Sequence, residues 1–262
     1  MSNFAVPKNK FVAFLLAALS LVVVFHGAVR ADHKLIINNA AQAPWANPEH
    51  TGFNDEIIKE VFRRIGHDLE ISFMTANARA LANVNEGIDD GNMLRIEGME
   101  KLFPNVRIVP EPVIYFEFVG FTKNPKIIIK EWADLEPYNV AYIRGWKIVE
   151  SNVKKTQSLN IVKNADQLFD LLRNDRTDII IFERIRGRYI LDTEEIKGVR
   201  ALEPPLSSSS FYLYLHKKHV EIIPSIVAAL KEMKADGTYR QIFESTVGSF
   251  ISVDEAKRMM SK

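Results

Sequence analysis

The side chains best suited to chemistry in this chain are arginines, carboxylates and aromatics, not nucleophiles. Arg95 follows Asn92-Met93-Leu94 at the end of a predicted strand. A guanidinium fork there suits a carboxylate bidentately, with Glu97 and Glu111 as its alternative partners within the protein. Glu183 stands five residues after Asp178, next to Arg184, Arg186 and Arg188, so it is either a binding charge or an ordinary ion pair. Trp45 follows Pro44 and offers a face on which a cation or apolar group can stack; local core packing is the other use of such a ring. Arg144-Gly145-Trp146-Lys147 sets two cations around a glycine and a tryptophan. His216 and His219 form a His-x-x-His pair with no evident third ligand, so no metal is expected.

Composition removes several other chemistries. Among 262 residues there is no cysteine, which excludes disulfide scaffolds, thiolate zinc sites, iron–sulfur clusters and cysteine nucleophiles. Lys and Arg total 34 against 33 Asp and Glu, so no basic excess exists to hold nucleic acid. There is no Gly-x-Ser-x-Gly elbow, no phosphate-cradling Walker loop and no His-Glu-x-x-His. Hydrophobic residues at 47% and charged residues at 26% are globular values.

The first residues read as a secretory signal. Lys8 and Lys10 precede an apolar run, Phe11 to Phe25, which is short for a membrane span of about 20 residues. Val29-Arg30-Ala31 places small residues at the −3 and −1 positions of a cleavage site after Ala31. An uncleaved anchor is the alternative. Removal of residues 1–31 leaves 31 basic against 33 acidic residues, a net charge of −2.

The elements that must position these side chains alternate. Leu35-Ile36-Ile37 reads as a buried strand. Asn54 is a candidate cap for a helix with Ile57, Ile58, Val61, Phe62 and Ile65 on one face, stopped by Gly66. Leu69, Ile71 and Phe73 alternate as a strand, and Asn77 to Gly87 reads as a second helix. This β-α-β-α opening predicts a parallel sheet covered by helices. After a proline-rich stretch at 104–112, Tyr115–Phe121, Val140–Ile143, Asp178–Phe182 and Phe211–Leu215 read as strands. Helices are expected after Asn164, over Arg184–Leu191, from Pro224 and around Tyr239–Phe243. Ser207–Ser210 lies where a linker could lie.

Several segments in order then match one pattern. They are Gly52-Phe53-Asn54-Asp55, Gly87-Ile88-Asp89-Asp90-Gly91, Trp132-Ala133-Asp134-Leu135 with Val140-Ala141-Tyr142, Arg176-Thr177-Asp178-Ile179, and Lys234-Ala235-Asp236-Gly237-Thr238-Tyr239. Through them residues 32–246 resemble the bacterial periplasmic solute-binding proteins of family 3, the amino-acid type. The resemblance implies an α/β, type II two-lobed fold, each lobe a mainly parallel sheet with flanking helices. Lobe 1 would hold 32–121 and 217–262, and lobe 2 would be the insert 122–216. Two crossover strands would join them, with ligand in the cleft and closure by hinge motion.

The same resemblance implies the site: Trp45 covers the ligand, Arg79 points from the second helix toward the cleft, and Tyr115 and Tyr142 line it. Arg144 and Trp146 stand where the family has a Gly-Thr pair, so Trp146 removes a hydroxyl contact. Glu183 stands where an Asp holds the ligand's ammonium group. The family's carboxylate-binding arginine lies in a Thr-x-Glu-Arg segment that this chain lacks, which leaves Arg95 as its replacement or as a structural charge.

The function implied is capture of a small polar solute, an amino acid or related carboxylate, in the periplasm for an ABC permease or a membrane sensor. The protein is then a monomer with no cofactor, catalytic residue, metal or nucleic-acid partner. The alternatives are a periplasmic enzyme on the same scaffold, of the cyclohexadienyl dehydratase type, in which Glu97 or Glu183 serves as acid or base, and an accessory protein with a degenerate pocket.

Overall fold

A computed structural model describes Met1 and residues 34–260. The signal-sequence and cleavage-site expectations fall outside these residues. Among the described residues no helix is long and apolar enough to cross a membrane.

The chain opens with β1 (Leu35–Asn39), α1 (Phe53–Ile65), β2 (Leu69–Phe73), α2 (Asn77–Asn85) and β3 (Gly91–Arg95). β4 (Val106–Ile108) and the long β5 (Ile114–Thr122) follow. Next come β6 (Asn139–Ile143), α3 (Lys147–Asn152), β7 (Ser158–Val162), α4 (Ala165–Arg173), β8 (Ile179–Glu183), α5 (Arg184–Thr193) and β9 (Arg200–Ala201). The chain closes with β10 (Ser207–His216), α6 (Ile223–Asp236), α7 (Thr238–Thr246) and α8 (Val253–Met260).

The strands form one ladder in the order β2-β1-β3-β10-β5-β8-β6-β7, with β4 on β10 and β9 on β5. β10 joins its two halves. Ser207–Phe211 pairs antiparallel with Phe118–Ile114 of β5, whereas Tyr212–His216 pairs with β3 and β4. Each half is parallel at its heart: β2, β1 and β3 in one, β7, β6 and β8 in the other.

Parallel strands covered on both faces need continuous apolar runs, and β8 shows why. Ile179 and Ile181 join one core cluster with Val140 and Ile185, while Ile180 and Phe182 join another with Leu168, Phe169 and Leu172. The helices follow their patterns. Phe53, Ile57, Ile58, Val61 and Phe62 bury one face of α1, which Gly66 ends at φ 69°. Asn164 caps α4 by accepting from the Gln167 N–H at 3.0 Å.

Three expectations are corrected. Asn54 does not cap α1; the cap is Gly52, and Asn54 lies buried in the first turn. Gly52 is required there because a Cβ would come within 2.5 Å of the Trp45 carbonyl. Ser207–Ser210 is strand rather than linker, since β5 supplies backbone partners for it. A helix after residue 246, α8, was not expected, and one buried residue explains its docking.

That residue is Arg184, wholly buried. Its Nε donates to Glu117 Oε2 of β5 at 2.7 Å, Nη1 to Glu255 Oε1 of α8 at 2.9 Å, and Nη2 to Glu203 Oε2 at 3.0 Å. Arg188 donates to the other side of Glu255 at 2.5 Å. Burial works against a charged Glu255, but hydrogen bonds from Arg188 and Ser252 outweigh it and hold its carboxyl down at about 2. Arg184→Ala would withdraw a buried cation from Glu117 and Glu255, although Glu255 keeps Arg188. A loss of about 3–5 kcal/mol is expected in urea unfolding, against about 1 kcal/mol for Arg188→Ala, whose guanidinium is partly solvated. A loss at Arg184 as small as that at Arg188 would show that burial of the ion cluster does not hold these elements together.

Candidate functional site

The carboxyl ends of the parallel strands carry most of the residues singled out by sequence. The loop after β1 holds Trp45, β3 ends on Arg95, β6 leads into Arg144 and Trp146, and β8 ends on Glu183. In open α/β sheets this is the end at which ligands bind.

The loop after β1 is built to hold its tryptophan. Phe53 and Asn54 donate backbone N–H groups to the carbonyls of Pro44 (3.2 Å) and Trp45 (2.8 Å). Asp55 pins the same loop, accepting from Gly52 N at 3.1 Å, Asn47 N at 3.3 Å and Asn39 Nδ2 at 3.1 Å. Burial pushes the Asp55 carboxyl up despite these donors. The Trp45 ring is buried against Phe53 and Phe116, at centroid distances of 5.8 and 4.8 Å.

Trp45 and Glu183 meet directly. The indole Nε1–H donates to Glu183 Oε2 at 3.0 Å, joining the β1 loop of one half to the end of β8 in the other. Glu183 also caps α5, with Oε1 accepting from Ile185 N and Oε2 from Arg186 N, each at 2.8 Å. Among the described residues its carboxylate makes no salt bridge to Arg184, Arg186 or Arg188. Full burial pushes it up to about 7, the three donors only partly opposing desolvation.

Trp146 stacks on Phe182, 4.9 Å between centroids at 23°, and meets Phe118 edge-on at 5.6 Å. The residue before Glu183 therefore carries the second tryptophan. Arg144 is exposed, and the neighbouring Gly145 N–H is taken by Glu150 Oε1 at 2.7 Å, so this turn offers one free donor fewer than its sequence suggests. Tyr115 bonds its hydroxyl to Ser208, strapping β5 to β10. Tyr142 is buried within β6. Arg79 is exposed on α2.

Arg95 is half-buried, and desolvation pulls its guanidinium down to about 10. Its Nη1 donates to the Leu94 carbonyl at 3.3 Å, and Glu111 is engaged by Lys234. Leu94 has φ 60°, a left-handed conformation costing a bulky residue about 1–3 kcal/mol. That strain lies beside a break in the β3/β10 register, where the strand delivers Arg95. His216 and His219 do separate work: His216 Nδ1 accepts from the Lys218 N–H, and His219 contacts Asp90 Oδ1 at 2.7 Å.

Two participants were missed. Arg186 reaches across to Gln42 in the β1 loop and lies over the Phe182 ring, its guanidinium carbon 5.2 Å from the centroid. Its place in the first turn after a parallel strand was the available signal.

No protein-family model matches the chain. A protein of Shewanella oneidensis described as uncharacterized is 29% identical over 212 residues, 77% of this chain and 78% of that protein. Among solved structures, the GluR0 ligand-binding core in complex with L-glutamate superposes with a TM-score of 0.72 at 13% identity, over 82% of this chain and 98% of that one. An ancestral arginine-binding protein bound to glutamine gives 0.65 at 22% identity, again over 82% and 98%. A histidine kinase sensor domain with similarity to periplasmic binding proteins gives 0.67 at 14% identity, over 82% and 96%.

This is the type II periplasmic binding protein fold. In a type II fold two α/β halves meet across strands like β5 and β10, so the Trp45–Glu183 contact bridges the halves at their strand ends.

The buried carboxyl gives this contact a pH signature. The Glu183 carboxyl is raised from 4.5 to about 7, so between those values the folded state holds a proton that the unfolded state has released. Stability contributed by Glu183 is therefore full below about 4.5 and falls as pH rises to 7, by about 3 kcal/mol in all. The difference in melting temperature between the protein and Glu183→Gln, followed from pH 4.5 to 8, should shift steadily against the glutamate. A flat difference would mean that Glu183 ionises as an ordinary carboxylate.

Proposed function

We propose that the protein is a solute-binding protein whose cleft captures a small carboxylate-bearing solute. The observation that carries this reading is the placement of Trp45, Arg95, Trp146 and Glu183 at or just beyond the carboxyl ends of β1, β3, β6 and β8. Two of them, from opposite halves of the ladder, are in direct contact. A shared site between two halves lets a ligand shift an open–closed equilibrium by differential contact with each.

In this reading the lobes are 32–121 with 217–262, and 122–216, and β5 and β10 cross between them. Arg95 takes the solute carboxylate, Trp45 covers the solute, and Arg79, Tyr115, Arg144, Trp146 and Glu183 line the cleft. The chain is exported through its N-terminal segment, acts in the periplasm as a monomer, and presents its closed form to an ABC permease or a membrane sensor. The likeness to an L-glutamate complex, a glutamine complex and a histidine kinase sensor domain supports either output.

One observation favours a second reading, an enzyme on this scaffold. A buried carboxyl pushed up to about 7 is matched to proton transfer near neutrality. Glu183 already accepts three N–H groups, however, which favours the binding role.

Thermal unfolding against amino acids, polyamines and small carboxylates tests the proposal. A ligand at 100 times its dissociation constant stabilises the fold by about 2.7 kcal/mol. For a chain of this size that raises the midpoint by about 5–10 °C. The shift should occur with one carboxylate-bearing class and disappear in Arg95→Ala. No shift with any compound would reject solute binding, and a shift retained in Arg95→Ala would reject the assigned role of Arg95.

A further inference from the structure

Three arginines alternate along Arg184-Ile185-Arg186-Gly187-Arg188, and they are not treated alike. Arg184 is met by Glu117, Glu203 and Glu255, and Arg188 by Glu255. Arg186 forms no ion pair among the described residues. Its Nη2 donates to the neutral amide oxygen of Gln42, and its Nε is buried with no hydrogen-bond partner. The groups of opposite charge that act on it are Glu183 and Asp166, neither in ion-pair contact.

A guanidinium withdrawn from water without a carboxylate is costly, and the cost is relieved by an anion. The free Nε and the adjacent Nη2 form the edge that receives a carboxylate in two parallel hydrogen bonds. Gln42, the side chain now on that edge, is exposed and can swing away. The edge lies one helical turn past the end of β8, at the contact between the two halves.

Glu183, the only carboxylate at this contact in the sequence-based site, has three of its about four acceptor positions filled by Trp45, Ile185 and Arg186. A ligand ammonium group would have to displace the tryptophan or the helix cap to reach it. The local balance is a cation seeking an anion, with no acid free to receive a cation.

We propose that Arg186 is the specificity-determining residue of the cleft on the β8 side, and that the preferred solute is an organic acid lacking an α-ammonium group. This rests on the solute-binding reading and narrows its ligand class. One carboxylate of the solute is held by Arg95 as above, a second docks on Nε and Nη2 of Arg186 in place of Gln42, and Glu183 stays with Trp45.

Calorimetric titration with matched acids tests it: glutarate against L-glutamate and succinate against L-aspartate. The members of each pair share a carbon skeleton and differ in the α-ammonium group. In at least one pair the acid without it should bind at least tenfold more tightly at pH 7.5. Arg186→Gln should weaken that binding at least tenfold, and Arg186→Lys, which keeps the charge and loses the fork, should fall between. Arg186→Lys decides the matter if Arg186→Gln does not fold. Tighter binding of the amino acids, or acid binding unchanged in both variants, overturns this inference and leaves solute binding intact. Binding of none of the four by the unmodified protein overturns this inference, and if the wider panel of amino acids, polyamines and small carboxylates also gives no thermal shift, the solute-binding reading falls with it.

Discussion

The fold depends on how it neutralises one guanidinium. Arg184 has no exposed surface, so its charge must be met inside the protein. The carboxylates that meet it come from β5, from the segment that leads into β10, and from α8. Each belongs to a different stretch of chain, and the arginine itself opens α5 directly after β8. Hydrophobic burial can bring such elements together but does not fix their mutual registry. A planar donor fork with several carboxylates does, because its hydrogen bonds are directional. Breaking such a cluster strands charge, so its members stay together or fail together.

The same principle holds the β1 loop of the candidate site in place. Asp55 ties the β1 loop to the first turn of α1 through backbone donors, and Gly52 lets the chain pass close enough for those bonds to form. Trp45 is held by that loop before it touches Glu183. On the other side, Glu183 is fixed by the helix it caps. The contact therefore joins two side chains that are each positioned by their own half of the ladder.

Much of this was legible in the sequence because it rests on periodicity. The apolar stripe of α1, the continuous run of β8 and the Asn164 cap are local signals, and each formed where it was expected. The strand ends also placed Trp45, Arg95, Trp146 and Glu183 at the carboxyl edges of the parallel strands, since each closes or follows a strand legible in the sequence. What was not legible is pairing at a distance. Nothing in Ser207–Ser210 announces a strand, because its β character is supplied by the backbone of β5. Nothing in the 253–260 segment announces that Glu255 would find Arg184 and Arg188. The run from Arg184 to Arg188 looks uniform, yet its arginines diverge in role because a helix turns about 100° per residue and sends them to different neighbours.

Glu183 shows how these constraints combine. As the last residue of β8 it is buried by the sheet, and as the cap of α5 it must present oxygens to the Ile185 and Arg186 N–H groups. Those demands oppose one another, since burial favours the neutral acid while capping favours the carboxylate. The bond from Trp45 adds a third donor and tips the balance toward charge, although not far enough to overcome desolvation. The ionisation of Glu183 is thus coupled to whether Trp45 is in place. Displacement of Trp45 would leave a less stabilised carboxylate, and another donor in its place would restore it. The position of Trp45 and the protonation of a single buried side chain are linked by the same hydrogen bond.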